Sequence, residues 1–179
     1  MSLPPGIPKV LVRYAVVEFL TIQAGLCLGK PEQGGIFIGQ YRTPHIEITD
    51  YTRPGKTDRS ALYSFSKSDP IHQSVATARW HQSRGTETYI GEWHSHPYGP
   101  PLPSTVDTNT WQGISDKTSM PMVFAIAAPE GWALYTVNQS NRRFKPNYCR
   151  YLSDGTSGKV FAIEPGSALP HITYCVVSP

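Results

Sequence analysis

Two histidines and one acid are the residues with the clearest chemistry in this chain. His94 and His96 stand two apart, Pro97 follows them, and Asp107 closes the stretch Ser104-x-x-Asp107. Side chains two apart on a strand share a face, so both imidazoles can reach one ion. Pro97 stops that strand, the loop from Tyr98 to Pro103 turns the chain back, and Asp107 in the first turn of the next helix can supply a third ligand. Two imidazoles and a carboxylate leave a fourth tetrahedral position for water, which is the pattern of catalytic rather than structural zinc. Zinc in such a site brings the pKa of its water to about 7. Glu92 shares strand parity with both histidines, so local geometry makes it a candidate general base.

Each piece also has a plain structural reading. A His-x-His pair alone is usually surface or core histidine. Serine followed by an acid three residues later is how many helices begin. It is the combination, with the proline and the loop length, that points to a metal. Glu92 otherwise reads as a structural residue behind the ligands. Trp111, four after Asp107, falls on the same helix face and reads as packing. His45, His72, His81 and His171 stand alone and read as structural or exposed.

The elements that must position these groups follow from the pattern. An amphipathic helix is expected from about Lys9 to Leu28, ending near Gly29; Val10–Val12 could instead begin as a strand. Ile36–Tyr41 and His45–Thr49 read as a hairpin turning at Thr43-Pro44. A loop rich in Pro, Gly and charge spans Tyr51 to Ser60. Ser68-Asp69-Pro70 starts a helix that runs to about Gln82. Thr88–Trp93 is a buried strand leading into His94, and the helix after Ser104 runs to about Ser115. Met122–Ala128 and Gly131–Asn138 are strands joined by a tight turn at Pro129-Glu130. Interleaved helices and strands give a mixed α/β class.

The 179 residues suit one domain, 1–179, with 1–8 as an extended arm and 139–179 as C-terminal strands and loops. Seventeen prolines and fifteen glycines imply long loops between short elements. A net charge of +3 has no concentrated source beyond Arg142, Arg143 and Lys145, so a nucleic-acid footprint is not indicated. Three widely spaced cysteines, Cys27, Cys149 and Cys175, are a poor disulfide framework and suit a reducing compartment. The first residues lack the apolar core of a signal peptide, and Val10–Leu28 is broken by Arg13, Glu18, Gln23 and Gly25. The expectation is a cytoplasmic protein with no membrane partner.

His94-x-His96-Pro97, six residues, then Ser104-x-x-Asp107 resembles the full signature of the JAMM (MPN-plus, JAB) metallopeptidases. Pro31-Glu32-Gln33-Gly34-Gly35-Ile36-Phe37-Ile38-Gly39 resembles the segment that carries that family's catalytic glutamate. The resemblance implies an MPN/JAB fold similar to cytidine deaminases, a curved β-sheet flanked by helices with zinc at its edge. It implies hydrolysis of peptide or isopeptide bonds, often after the C-terminus of a ubiquitin-like protein. His94, His96 and Asp107 match the ligands of a single Zn²⁺. Glu32 matches the base that takes a proton from the attacking water and passes it to the leaving amine, in preference to Glu92. Ser104 matches the residue that hydrogen-bonds the developing oxyanion.

A narrower resemblance covers roughly residues 30–115. Arg53-Pro54-Gly55-x-x-Asp58, Phe65, Ile90–His94 and Pro103-Ser104-x-x-Asp107-x-x-x-Trp111 are similar to the bacterial JAB proteins encoded beside E1- and E2-like enzymes in CBASS anti-phage operons. That branch implies release of a CD-NTase from targets to which its C-terminus has been conjugated. The partner is then a protein's C-terminal tail, laid across the site between loops 52–64 and 98–103. Three alternatives stand beside this reading. A processing peptidase for a sulfur-carrier or ubiquitin-like protein would share the site. A non-catalytic MPN scaffold would typically have lost ligands. A nucleotide deaminase would need a Pro-Cys-x-x-Cys that is missing here.

Overall fold

The computed structural model describes residues 10–137 in full and the backbone of two further strands, Pro146–Arg150 and Val160–Pro165. The extended arm, the Arg142–Lys145 cluster, His171, the side chain of Cys149, and Cys175 lie outside the described residues.

Chain order is β1 Val10–Arg13, α1 Tyr14–Leu26, β2 Gly34–Arg42, β3 His45–Tyr51, β4 Arg59–Ala61, β5 Ser64–Ser66, α2 Ile71–Gln82, β6 Thr88–Ser95, α3 Thr105–Asp116, β7 Met122–Ala128 and β8 Gly131–Val137. Strands 146–150 and 160–165 are β9 and β10. The main sheet runs β1-β10-β9-β8-β7-β6-β2-β3, and β1 pairs with both β10 and β3, so the sheet closes on itself. The hairpin β4–β5 stands apart as a two-stranded sheet. This is the mixed α/β class that the pattern implies, with a curved sheet between helices.

Strand alternation sorts the core into two faces. Phe37, Trp93, Val123, Ala125 and Ala127 join the cluster built on Val16, Val17, Phe19 and Leu20 of α1. Their neighbours Met122, Phe124 and Ile126 face the other way, against Trp111 of α3. Ile36 and Ile38 face that way too, against Ala76 of α2. β7 is therefore buried along its whole length, which its unbroken MVFAIAA sequence suits. Trp93 faces α1, so Glu92 and His94 on the same strand must face α3.

Val10–Arg13 form a strand because β-branched residues there complete the sheet between β3 and β10; the helix begins at Tyr14, five residues after the expected start near Lys9. Two residues past Cys27, the C-cap of α1, Gly29 takes a left-handed φ of +66°, and its N–H donates to the Pro97 carbonyl at 3.1 Å. That bond ties the end of α1 to the residue just past His96. The hairpin β4–β5 was not expected within its Pro-, Gly- and charge-rich surroundings. Strands of three residues carry too little alternation to register as such.

Segment 52–58 is tethered to α2 through a buried chain of polar groups. The Asp58 carboxylate contacts His72 Nε2 at 2.8 Å, and His72 Nδ1 lies 2.6 Å from Thr52 Oγ1, which accepts from the Ile36 N–H at 2.9 Å. One arrangement satisfies all three contacts: His72 donates from Nε2 to Asp58 and accepts at Nδ1 from the threonine hydroxyl. Burial alone would raise the Asp58 pKa. The Asp69 N–H, His72 and the Gly55 N–H outweigh it and hold the carboxyl below its ordinary range. Its stabilising contribution is therefore complete above the unfolded value of about 3.9 and lost as pH falls through the lower folded one. Asp58→Asn should remove that part of the acid lability, flattening the decline in urea-unfolding free energy below about pH 4. An unchanged acid slope would show that the carboxyl is not held low.

Candidate metal centre

Three elements bring the site residues together. In the β2–β6 ladder Gly34 pairs with His94, so antiparallel continuation sets Glu32 opposite His96. The ladder does continue: the Ser95 N–H donates to the Gln33 carbonyl at 2.8 Å, and the Gln33 N–H to Ser95 Oγ at 3.0 Å. On its other side Glu32 donates its N–H to the Ala61 carbonyl at 2.8 Å and accepts at its own carbonyl from the Ser60 hydroxyl. Segment 32–33 is thus stretched between β6 and β4. His96 is held by the parallel neighbour, its N–H donating to the Ala127 carbonyl at 2.8 Å.

Asp107 arrives from α3. Ser104 is the N-cap, and the capping box is complete: the Asp107 N–H donates to Ser104 Oγ at 3.1 Å, and the Ser104 N–H to Asp107 Oδ2 at 2.7 Å. The cap reading of Ser104-x-x-Asp107 is met, and it is compatible with the ligand reading, since the same carboxylate also meets the histidines. One turn later Trp111 stacks on Phe124 with ring centroids 4.8 Å apart, and lies 6.3 Å from the His94 ring. Trp111 is core packing, as its helix face suggests, and through it α3 sits at a fixed depth over β7. Tyr135 OH donates to the Pro101 carbonyl at 2.6 Å and pins the loop between His96 and Ser104.

The resulting donor geometry suits a tetrahedral cation. His94 Nε2 and His96 Nε2 are 3.0 Å apart, and they lie 3.1 and 3.3 Å from the two carboxylate oxygens of Asp107. Metal–ligand bonds of about 2.0–2.2 Å give tetrahedral donor–donor edges of about 3.3–3.6 Å, so a small contraction of the bound arrangement is all that separates the two. Among the described residues this trio is the group able to hold a metal ion. Burial would raise the Asp107 pKa, but hydrogen bonds from His94, His96 and Ser104 prevail and hold it well below the carboxylate range.

A cleft of about 450 Å³ surrounds the trio, and Glu32, Ser104, Tyr63, Phe65, Tyr98 and Glu92 also line it. Burial pushes Glu32 up to about 7; His96 opposes the rise and Asp107 adds to it. Glu92 does line the cleft, but its carboxylate is occupied by Lys67 Nζ at 2.6 Å and Tyr89 OH at 3.0 Å. Neither partner is visible from its spacing along the strand. Of loop 52–64, Tyr63 and Ser64 reach the cleft; 52–58 is turned away toward α2. Of loop 98–103, Tyr98 lines it. His72 is buried in the tether described above.

Fold and donor set are those of a JAB-type domain with a trio of side chains that could hold a metal ion. Residues 22–144 match the sequence profile of the prokaryotic homologs of the JAB domain, and the chain belongs to that family. It is 33% identical over 95 residues to the "CD-NTase/cGAS isopeptidase" of Vibrio cholerae, covering 52% of this chain and 61% of that one. With the protein of the same name from Pseudomonas aeruginosa it is 37% identical over 86 residues, covering 48% and 54%. A "Probable metalloprotease y4qB" of Sinorhizobium fredii is 29% identical over 120 residues, covering 63% and 73%. The matched region thus spans less than two thirds of the two isopeptidases. The solution structure of protein DSY2949 from Desulfitobacterium hafniense shares the fold at a TM-score of 0.52 and 18% identity, over 75% of this chain and 87% of that one.

Because Trp111 sets the depth of α3, Trp111→Ala should cost about 3–5 kcal/mol of stability and weaken metal binding by displacing Asp107. Chemical unfolding and a zinc titration against a chelating indicator measure the two effects. A destabilised chain with unchanged zinc affinity would separate Asp107's position from the packing of Trp111.

Proposed function

We propose that this chain is a zinc-dependent isopeptidase that cuts after the C-terminus of a conjugated protein, and that it reverses conjugation of a CD-NTase in CBASS anti-phage defence. The observation that carries the proposal is the desolvated Glu32 carboxyl set opposite His96 in the cleft shared by His94, His96 and Asp107. The names of the Vibrio cholerae and Pseudomonas aeruginosa relatives support the substrate class. No described helix is long and apolar enough to cross a membrane, and the reaction is assigned to the cytoplasm, where a conjugated signalling enzyme would be found.

Zinc is favoured by two imidazoles and one carboxylate in tetrahedral spacing, and when bound it supplies Lewis acidity and an acidified water. The chain's own groups do the rest. Glu32, poised near neutrality, takes the proton of the attacking water and returns it to the departing amine as the C–N bond breaks. Ser104 lines the cleft with its hydroxyl donating to Asp107 Oδ2 at 2.7 Å, and in the reaction it turns that one proton to the oxyanion. Ser64 and Phe65 of β5 line the cleft, and among the described strands β5 pairs with β4 alone, so an extended tail can add to it as a further strand.

Glu32→Gln should lower turnover of a CD-NTase conjugate by roughly 10²–10⁴-fold while the zinc content stays at one per chain. Intact mass spectrometry of the conjugate, with zinc measured on the same sample, reads both. Loss of turnover in Glu92→Gln, with Glu32→Gln active, would move the base to β6. Cutting of a ubiquitin-like fusion in place of the CD-NTase conjugate would keep the chemistry and change the substrate.

A further inference from the structure

The cleft continues past the metal ligands, back along β6, to the ion pair of Lys67 and Glu92. Lys67 is the first residue beyond β5, and its ammonium reaches Glu92 Oε2 on β6 at 2.6 Å. The Tyr89 hydroxyl holds the other carboxylate oxygen at 3.0 Å. The two charged side chains are partly buried, 24% and 14% exposed. Glu92 shares a face with His94, so the pair lies about 7 Å from that ligand along the strand, the length of two residues of extended chain.

An ammonium carries three donors, and among the described residues Lys67 has Glu92 as its acceptor. Apolar packing could fasten the hairpin to β6 as well as a partly buried ion pair does. What apolar packing could not do is offer N–H groups to a chain lying in the cleft.

We propose that Lys67 is a specificity-determining residue that binds an oxygen acceptor of the substrate tail, about two residues on the acyl side of the scissile bond. Glu92 and Tyr89 are positioning residues that hold the ammonium in place. This rests on the isopeptidase reading for the identity of the tail. The acceptor is a main-chain carbonyl or an acidic side chain, and the two share the same chemistry.

The test uses the zinc-loaded chain carrying Glu32→Ala and a fluorescein-labelled peptide of the C-terminal segment of the CD-NTase from the same operon. Fluorescence anisotropy should show Lys67→Met weakening the peptide roughly ten- to a hundredfold. Lys67→Arg, which keeps charge and donors, should recover most of the affinity. Lys67→Met combined with Glu92→Gln removes both charges, so it should bind as weakly as Lys67→Met alone. Recovery of affinity in that double variant would mean that Lys67 only neutralises Glu92, and the proposal would fall. It would fall equally if Lys67→Met left the Kd unchanged, or if the peptide did not bind the Glu32→Ala chain. Alanine at the acidic tail positions distinguishes the acceptors: weaker binding identifies a carboxylate, unchanged binding a main-chain carbonyl. Turnover of the conjugate by the unsubstituted chain is measured in parallel. Its absence contradicts the isopeptidase reading, while the ratio of Kd values still decides the role of Lys67.

Discussion

Pairing of Gly34 with His94 across β2 and β6 is the constraint on which the site depends. The ladder keeps one register from Gly34 to Phe37 and shifts only beyond it, between Phe37 and Ile38; a one-residue shift nearer the site would turn its side chains to the opposite face. With Gly34 opposite His94, Glu32 comes to lie beside His96, although the two are far apart in sequence. A larger residue at 34 would meet the Phe65 ring at 2.7 Å, and one at 35 would meet the Thr52 carbonyl at 2.2 Å. The two glycines therefore let the β4–β5 hairpin and segment 52 close over the strand that presents Glu32. The hydrogen bonds from Ser60 to Glu32 and from Glu32 to Ala61 then hold this segment from its far side.

From that register the remaining parts follow by parity and packing. Trp93 is spent on the α1 face, where its indole donates to the Thr52 carbonyl at 2.9 Å and meets Phe19 edge-on. Its neighbours on β6 are left to polar contacts: His94 to the candidate metal trio and Glu92 to Lys67. Helix α3 contributes its carboxylate from the first turn, where the partly positive helix end favours an anion and where capping already orients it. Asp107 is thus placed by local backbone geometry, and α3 itself by Trp111 against Phe124 and Tyr135. Rigid elements carry all three candidate ligands or adjoin them, as a site with sub-ångström tolerance requires.

Much of this could be read from the chain, and the remainder divides along a physical line. His94, His96 and Asp107 lie within one strand–loop–helix unit, so short-range rules of parity, proline and capping suffice to bring them together. Strands β7 and β8 were legible for the same reason, being a hairpin with a tight turn. Glu32 was not legible by spacing. Its proximity is a product of the β2–β6 ladder, and only resemblance to a family singled it out. Glu92 satisfied every local rule for a base, yet Lys67 and Tyr89 occupy it. The Asp58–His72 tether and the β4–β5 hairpin went unseen because a lone histidine and three-residue strands carry no periodic signal.

The most direct test is a crystal of the zinc-loaded chain measured on both sides of the zinc absorption edge. One anomalous peak per chain should appear within about 2.0–2.2 Å of His94 Nε2, His96 Nε2 and an Asp107 oxygen, with the Glu32 carboxylate facing its open side. A peak held by other residues, or Glu92 facing the metal in place of Glu32, would contradict the account.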